Sequence, residues 1–400
     1  MKPSRPVQKI LNVILGILLA FTVMLYNTST AQAASISLST NNGSWGSSII
    51  ISGTAFGLNE TPIQVTYDGT TVATSPSIIT ASGTGTWSAS ITIPFLTSTT
   101  TYGTRTIGAS GPATIVPVTT TFTVTSPSIS ITRFTGPPGA STTVSGAGFG
   151  VSESGITVLY DALSMWTGGI ANSQGNWSAT IVIPPSSGVA HTIKAYGTTT
   201  QVTSISPQTF QVTPVISAAQ TRGTAGASIT INGYGFGASE GSITVTYDGT
   251  PLTSGITANA EGSWSSTFSI PASSGGAHSI KASGSTTLAS NVPEMTFFIS
   301  QGISINRASG TPGTSVTVSG SGFNSGETGI TVTYDGSPVA SGISATIQGA
   351  WSATFNIPHS TFGPHSIKAF GSITSSGSAG EVGFVTQGGI VLGRTSGAPG

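Results

Sequence analysis

One internal repeat organises the chain and limits what it can fold into. A Trp-Ser pair returns at Trp87, Trp177, Trp264 and Trp351, at intervals of 90, 87 and 87 residues. A Tyr-Asp pair returns with it, and residues 242–271 and 329–358 are identical at 19 of 30 positions. Self-similarity at a nearly fixed period indicates copies of one folded unit.

The repeat sets the predicted domain boundaries. Residues 1–33 precede the repeats, and the first to fourth repeats are predicted at 34–126, 127–213, 214–301 and 302–388. Residues 389–400 match the start of the fourth repeat, so they are predicted to begin a truncated fifth one. The junctions between repeats are short, which predicts a semi-rigid string of domains.

Polar and apolar residues alternate along short segments of each repeat. In the fourth repeat, Trp351, Phe355 and Ile357 alternate with polar residues, and this period of two predicts a half-buried β-strand. Asp335-Gly336 predicts a two-residue hairpin turn, because both central residues of a type I′ turn need positive φ. About seven such strands per repeat, with no convincing helix after residue 33, predict an all-β sandwich.

The composition separates this fold from disorder. Charged residues make up only 6% of the chain, but 37% of it is hydrophobic. Disordered chains usually lack that much apolar surface. The chain has no cysteine, so each domain of about 90 residues must be held by its core alone.

The N-terminal segment has the features of a secretory signal. Three basic residues lie in the first nine positions, an uncharged run spans 10–26, and Ala31-Gln32-Ala33 is a cleavage motif. We therefore predict a signal peptide at 1–33; the alternative is an uncleaved anchor, although 17 residues are fewer than the roughly 20 of a spanning helix. Cleavage would leave 8 basic and 11 acidic residues, a net charge near −3, which predicts no nucleic-acid partner.

A family resemblance follows from the repeated motifs. Gly320-Ser321-Gly322-Phe323, followed by a strand and the hairpin Tyr334-Asp335-Gly336, resembles the IPT/TIG-like or bacterial Ig-like repeats of prokaryotic cell-surface proteins. The resemblance covers the four repeats and implies tandem immunoglobulin-like β-sandwich domains. It also implies a stalk, an adhesin or a surface-layer element.

Aromatic residues are the first candidates for a binding site. The repeated tryptophans are in phase with the apolar face of their strand, so we predict that they pack in the core rather than form a sugar platform. Trp45, Met165 and Trp166 break the repeat, Trp45 in a Gly/Ser loop and the other two in place of the Asp-Gly hairpin turn. Exposed aromatics on loops are candidate ligand-binding residues; the alternative is that they pack against a neighbouring domain or their own sandwich.

Acidic residues raise the question of a calcium site. Each repeat has a glutamate eight residues before the hairpin aspartate, namely Glu60, Glu153, Glu240 and Glu327. Eight extended residues span about 26 Å, so the two carboxylates are predicted at opposite ends of one strand. We predict a turn aspartate and a solvated loop glutamate, with no metal site inside a repeat. A calcium site shared across a domain junction stays open.

One histidine per repeat does not predict catalysis. His191, His278 and His365 occupy the same repeat position, where the first repeat has Arg105. With no cysteine and no carboxylate motif beside it, a single histidine makes neither a metal site nor a catalytic set. The chain is therefore predicted to have no catalytic residues and no cofactor, and not to be an enzyme.

These observations favour an exported structural stalk or adhesin on a prokaryotic cell surface. The alternatives are a carbohydrate-binding module array attached to a distal domain, and a surface-layer or filament subunit. The expected partners are surface polysaccharide, other cell-surface proteins or copies of the same chain. The expected location is extracellular, at the cell surface or in the cell envelope.

Overall fold

The computed structural model describes residues 5–25, 32–95 and 102–388. The predicted start of a fifth repeat at 389–400 lies outside these residues, as does Ala31 of the cleavage motif. A helix, α1 (Arg5–Leu25), coincides with the basic and apolar parts of the predicted signal peptide. Within the described ranges, no helix has both the length and the apolarity needed to cross a membrane.

The chain divides into two compact units, each described here by itself. Unit 1 comprises Met1–Thr132, Thr143–Ile181 and Thr192–Gln208, and unit 2 comprises Arg133–Thr142, Val182–His191 and Thr209–Gly400. The first repeat therefore belongs to unit 1, and the third and fourth repeats belong to unit 2. The predicted repeat boundaries stay predictions.

The first repeat folds into two sheets packed over one core. One sheet has the strand order β1-β3-β7-β6 and the other β2-β9-β8-β4-β5. Its strands are β1 (Ser35–Leu38), β2 (Asn42–Gly43), β3 (Ser48–Thr54), β4 (Gln64–Tyr67), β5 (Thr70–Thr71), β6 (Thr74–Ser75), β7 (Trp87–Thr92), β8 (Gly103–Ser110) and β9 (Val118–Val124). The first strand is split: β1 pairs antiparallel with β3, and β2 pairs parallel with β9 in the opposite sheet.

The second repeat has the sheets β10-β12-β15 and β11-β17-β16-β13-β14, and it differs from the first in having no counterpart of β6 in the smaller sheet. Its strands are β10 (Ser128–Ile131), β11 (Thr135–Gly136), β12 (Ser141–Ala147), β13 (Ile156–Tyr160), β14 (Leu163–Gly169), β15 (Trp177–Val182), β16 (Ala190–Tyr196) and β17 (Gln208–Val212), with a 3₁₀ turn at Val202–Ser204. As in the first repeat, the split first strand pairs antiparallel as β10 with β12 and parallel as β11 with β17. β13 pairs antiparallel with β14 and β16.

The third repeat has a three-stranded sheet, β18-β20-β23, and a five-stranded sheet, β19-β25-β24-β21-β22. Its strands are β18 (Val215–Ala218), β19 (Arg222–Gly223), β20 (Ser228–Tyr234), β21 (Ile243–Tyr247), β22 (Thr250–Ile256), β23 (Trp264–Ser269), β24 (Gly276–Ser283) and β25 (Met295–Ile299), with a 3₁₀ turn at Ala289–Asn291. The long edge strand β22 carries a bulge against β21, and bulges protect an edge from pairing with other chains.

The fourth repeat has the same topology, with sheets β26-β28-β31 and β27-β33-β32-β29-β30. Its strands are β26 (Gly302–Ile305), β27 (Ser309–Gly310), β28 (Ser315–Ser321), β29 (Ile330–Tyr334), β30 (Ser337–Ile343), β31 (Trp351–Asn356), β32 (Gly363–Phe370) and β33 (Glu381–Thr386). The predicted type I′ geometry is confirmed, since Asp335 and Gly336 have φ of 48° and 81°. The predicted all-β sandwich is confirmed as well.

The predicted core position of the repeated tryptophans is confirmed. Trp87, Trp177, Trp264 and Trp351 are 6–7% exposed. Each indole lies over a glycine of the neighbouring strand; a Cβ on Gly233, for example, would overlap the ring of Trp264. Each also meets a phenylalanine edge to face, as Phe236 meets Trp264 with ring centroids 5.4 Å apart. The Gly-x-Gly-Phe segment therefore supplies both the space and the partner for the indole.

Candidate functional site

The first predicted ligand-binding residue, Trp45, is not exposed. Only 3% of its surface is accessible, and it belongs to the core of the first repeat. Its ring contacts Phe95 edge to face at 5.7 Å and lies 6.0 Å from Tyr102. The expectation of an exposed loop aromatic is wrong, because these two rings close over the end of the sandwich where Trp45 lies.

Met165 and Trp166 are not in a turn. The turn after β13 is formed by Asp161, with φ of 51°, and Ala162; Met165 and Trp166 lie further on, inside β14. Both are half-buried, and Trp166 is paired with Val158 and stacked on Trp177 at 5.9 Å with an angle of 15°. The predicted placement is therefore wrong, since the hairpin keeps its length despite losing its glycine. Ligand binding by these two residues stays a prediction.

The repeated glutamates are buried, not solvated. Glu60, Glu153, Glu240 and Glu327 are 2–6% exposed, so the expectation of a loop glutamate in solvent is wrong. In the third repeat, Glu240 accepts hydrogen bonds from the N–H groups of Gly237, Thr286 and Thr287 at 2.6–2.7 Å, and from the Thr287 hydroxyl at 2.6 Å. We call this arrangement the glutamate clamp, because it ties the loop before the hairpin to the loop before the last strand.

The clamp recurs in every repeat. Glu60 accepts from Gly57, Ala113 and Thr114, and Glu327 accepts from Asn324, Ile373 and Thr374. Glu153 has equivalent partners in the second repeat. The donors make the carboxylate ionised despite its burial: burial raises the pKa of Glu240, but the bonds from Thr287, Thr286 and Gly237 outweigh it and lower the pKa to about 2.

The signal for the clamp was present in the sequence. Glutamate and threonine recur 47 residues apart in the second to fourth repeats. The spacing between the glutamate and the aspartate of its own strand gives no indication of these partners. The partners that matter come from the loop that follows the neighbouring strand of the same sheet, 46–47 residues further along the chain.

A second recurring cluster joins the hairpin aspartate to a basic side chain. In the third repeat, His278 Nδ1 lies 2.7 Å from Asp248 Oδ2, and the N–H of Ser279 donates to Asp248 Oδ1 at 2.9 Å. The imidazole stacks on Tyr247 at 5.1 Å with an angle of 16°. The statement that the histidine has no carboxylate beside it is therefore wrong, because the hairpin turn brings Asp248 next to β24.

The fourth and first repeats keep this cluster with one change. His365 Nδ1 lies 2.6 Å from Asp335 Oδ2, and hydrogen bonds to Asp335 and to the Thr361 carbonyl raise the pKa of His365. In the first repeat, Arg105 takes the place of histidine and its Nη1 lies 3.2 Å from Asp68 Oδ2. A charge pair closes the hairpin against the neighbouring strand in each case.

None of these clusters has the composition of a metal site. Among residues 5–25, 32–95 and 102–388, no three His, Asp or Glu side chains are grouped so that they could hold an ion. Each glutamate is surrounded by hydrogen-bond donors, which occupy the oxygens that a cation would need. The junction calcium site stays an untested hypothesis.

Unit 1 contains an open groove lined by small neutral side chains. Its volume is about 590 Å³, and amide side chains of Asn42, Gln174 and Asn176 line it together with several serines and threonines. A second groove of similar volume reaches Trp177 and shares Asn176 with the first. Clefts of this size fit small ligands or short oligomers.

The fold defines the class of protein: a tandem array of immunoglobulin-like β-sandwich domains. Two of the repeats match a known family by sequence: residues 214–297 and 302–384 match the IPT/TIG domain. The third and fourth repeats are therefore IPT/TIG domains, as the resemblance implied. No curated protein matches the chain.

Several solved structures match the chain at low identity and low TM-score. A mixed-linkage glucan utilization locus protein of Bacteroides ovatus, SGBP-B, in complex with a mixed-linkage heptasaccharide, is 14% identical over 90% of this chain and 93% of its own, with a TM-score of 0.23. InvD of Yersinia pseudotuberculosis is 11% identical over 88% and 97%, with a TM-score of 0.22. A putative membrane anchored protein of Corynebacterium diphtheriae is 11% identical over 72% and 96%, also at 0.22. Scores this low carry no argument about function.

Proposed function

We propose that the chain is an exported structural stalk or adhesin on a prokaryotic cell surface, without enzymatic activity. The observation that carries the proposal is the direct docking of consecutive repeats. The N–H of Gly188 donates to the Phe236 carbonyl at 2.8 Å, and that of Gly275 donates to the Phe323 carbonyl at 3.0 Å. In unit 1, the N–H of Val151 donates to the Trp45 carbonyl at 2.8 Å. Backbone hydrogen bonds between domains suit an array that must hold its domains in a fixed order and spacing.

Export is the first part of the proposal to test. The chain is expressed in a Gram-positive and in a Gram-negative host, with and without residues 1–33, and the N-terminus of the mature protein is sequenced. Export with Ala34 as the first residue supports the proposal. Retention of the full-length chain in the cytoplasm of both hosts would contradict it.

The structural role is tested by assembly and adhesion. Sedimentation velocity of the purified mature chain separates a stalk or adhesin, which stays monomeric, from a surface-layer or filament subunit, which self-assembles. Host cells that display the chain are then compared with cells that display it without residues 214–301. A stalk tolerates the loss of one repeat, whereas an adhesin whose site lies in that repeat loses attachment.

A second candidate function is carbohydrate binding through the groove of unit 1. Its neutral amide and hydroxyl lining suits a polyhydroxylated, uncharged ligand. The test is affinity electrophoresis in gels containing soluble cell-wall or plant polysaccharides. Retardation that is lost in the double variant Asn42→Ala, Gln174→Ala and kept in Trp166→Thr would favour the groove. Loss only in Trp166→Thr would favour the predicted ligand-binding residues Met165 and Trp166 instead.

A further inference from the structure

The histidine of the third repeat contacts the loop between β23 and β24, and this loop also contacts the fourth repeat. His278 Nε2 lies 2.8 Å from the carbonyl oxygen of Ser274, while its Nδ1 lies 2.7 Å from Asp248 Oδ2. Both ring nitrogens therefore face acceptors. A neutral imidazole has one N–H and can donate only once, whereas an imidazolium donates from both nitrogens. Both contacts can be hydrogen bonds at the same time only when the ring is protonated.

The carbonyl that His278 contacts belongs to the same peptide unit as the N–H that docks the next repeat. The Ser274–Gly275 peptide points its C=O at His278 and its N–H at the Phe323 carbonyl, 3.0 Å away. Because a peptide unit is planar, it cannot rotate to lose one of these bonds without losing the other. A charged donor on the C=O also polarises the N–H and strengthens its bond.

The backbones at this junction approach closely, which makes the orientation of the peptide matter. A Cβ on Gly275 would overlap the Gly322 carbonyl oxygen, and a Cβ on Gly349 would lie 3.0 Å from Ser274 Cα. The contact therefore has little room to rearrange. A rotation of the Ser274–Gly275 peptide would break its hydrogen bond to the Phe323 carbonyl.

The preceding junction has the same construction. His191 Nε2 lies 3.0 Å from the Ser187 carbonyl, and the N–H of the same peptide unit, from Gly188, donates to the Phe236 carbonyl at 2.8 Å. A Cβ on Gly188 would overlap the Gly235 carbonyl oxygen. Two successive junctions thus place an imidazole behind the peptide that docks the next repeat.

We propose that protonation of His278 stabilises the hydrogen bond between the Gly275 N–H and the Phe323 carbonyl, which joins the third repeat to the fourth. This bond weakens when the imidazole loses its proton. We call this arrangement the histidine latch. A carboxylate and an aromatic ring face the imidazole. Asp248 and Tyr247 face it from β21 and its turn, and Glu294, which pairs with Lys281 at 3.3 Å, interacts electrostatically with Asp248. The side chain of His278 is 11% exposed and that of Asp248 is 48% exposed, so solvent partly screens their contact.

The latch is independent of the proposed surface function, and it is tested on the mature chain. Hydrogen exchange at single-amide resolution gives the protection factor of the Gly275 N–H at about pH 6 and about pH 9, after correction for the intrinsic exchange rate. We expect the protection factor to fall by about tenfold at the higher pH. Core amides such as Ile280 should keep theirs and thereby show that the sandwich stays folded.

Two variants separate the charge of the side chain from its shape. His278→Arg carries a permanent charge, like Arg105 at the same position in the first repeat, so Gly275 should stay protected at both values of pH. His278→Gln carries no charge, so protection should be low at both. A protection factor in the unmodified chain that does not change with pH would overturn the proposal. So would wild-type pH dependence in His278→Gln.

A distance measurement tests the mechanical consequence. The chain has no cysteine, so Ser254→Cys and Ser341→Cys, both at exposed positions, accept spin labels without background. The distance distribution between the labels should broaden from about pH 6 to about pH 9 in the unmodified background and stay narrow with His278→Arg. Equal widths at both values of pH in the unmodified background would show that the junction does not respond to the histidine.

Discussion

The first repeat and the fourth repeat hold the hairpin aspartate with different basic side chains. Both close the hairpin aspartate against the neighbouring strand with a cation, but the cation is Arg105 in one and His365 in the other. An arginine keeps its charge at any pH a cell meets, whereas a histidine does not. The shared element is the charge pair, and its sensitivity to pH is the part that differs between repeats.

The two repeats also differ along the strand that follows the hairpin. In the fourth repeat, β30 runs for seven residues and stays in the five-stranded sheet. In the first repeat, β5 has only two residues, and β6 pairs with β7 in the opposite sheet. Pro76 directly follows β6 and has no N–H to donate, so the strand ends there. The edge strand can therefore change sheets while the rest of the topology is kept.

The largest expected effect lies in the feature that only the first repeat has. Trp45→Ala should lower the free energy of unfolding of the first repeat by about 3–5 kcal/mol, because a buried indole is replaced by a cavity. Repeat-resolved hydrogen exchange of the mature chain measures it. Pro312→Ala, at the equivalent position of the fourth repeat, is the matched control and should have a much smaller effect. Equal losses would show that Trp45 contributes no special packing.

The next effect concerns the clamp that both repeats share. The pKa of Glu327 is about 2 in the folded chain, below the ordinary value of 4.5. Burial acts to raise this pKa, but the hydrogen bonds from Thr374, Ile373 and Asn324 favour the carboxylate and outweigh burial. A lowered pKa stabilises the fold above about pH 4.5, and this stabilisation is lost as the pH falls toward 2. The loss should reach about 3 kcal/mol.

Acid unfolding of the fourth repeat, followed by hydrogen exchange, measures this loss. Glu327→Gln should be less stable at neutral pH and should show a flatter response between pH 4.5 and pH 2. Glu60→Gln should do the same in the first repeat, where the pKa of Glu60 is also lowered. An acid response confined to one of the two repeats would mean that the clamp is not a common element.

A smaller effect is expected at Trp166. Trp166→Thr introduces the residue found at the equivalent position of the third repeat, Thr253. It removes the stacking on Trp177, and we expect a loss of about 1–2 kcal/mol in the second repeat. Thermal unfolding followed by fluorescence measures it. A change in the free energy of unfolding below about 0.5 kcal/mol would show that Trp166 contributes little to stability and would favour its role as a ligand-binding residue.

The smallest expected effect distinguishes His365 of the fourth repeat from Arg105 of the first. The raised pKa of His365 stabilises the fourth repeat fully below about 6.5, and this contribution is lost as the pH rises through the folded pKa. We expect opening of the fourth repeat to increase about fivefold across this range, with no such change in the first repeat. Arg105→His should transfer the response to the first repeat, and His365→Arg should abolish it in the fourth. Unchanged pH profiles in both variants would contradict this account of the pair.

Much of the fold could be predicted because the same local sequence patterns recur in each repeat. The alternation around Trp351 indicated the strand, and Asp335-Gly336 indicated its turn. The buried glutamates could not be predicted from such local patterns. Glu240 meets Thr287 across a separation of 47 residues, and only the packing of the sheets brings their two loops together.

The same limit explains the errors at the candidate sites. Trp45 was expected to be exposed because its neighbours in sequence are glycine and serine, but its neighbours in space are Phe95 and Tyr102. Met165 and Trp166 were assigned to a turn because the glycine is missing, although Asp161 alone adopts positive φ there. Residue type along the chain indicates burial only where a strand periodicity is present to orient the side chain.

The sequence by itself determined the number and period of the repeats, their β-strands, the hairpin turns and the buried face that carries Trp264. Local preferences and strand periodicity set these features, and both can be followed along the chain. The tertiary structure alone decided which polar groups meet. Three contacts join segments that are distant in sequence: Glu240 with Thr287, His278 with Asp248, and the Ser274–Gly275 peptide with Phe323. The packing of the sheets fixes the first two, and the packing of one repeat against the next fixes the third.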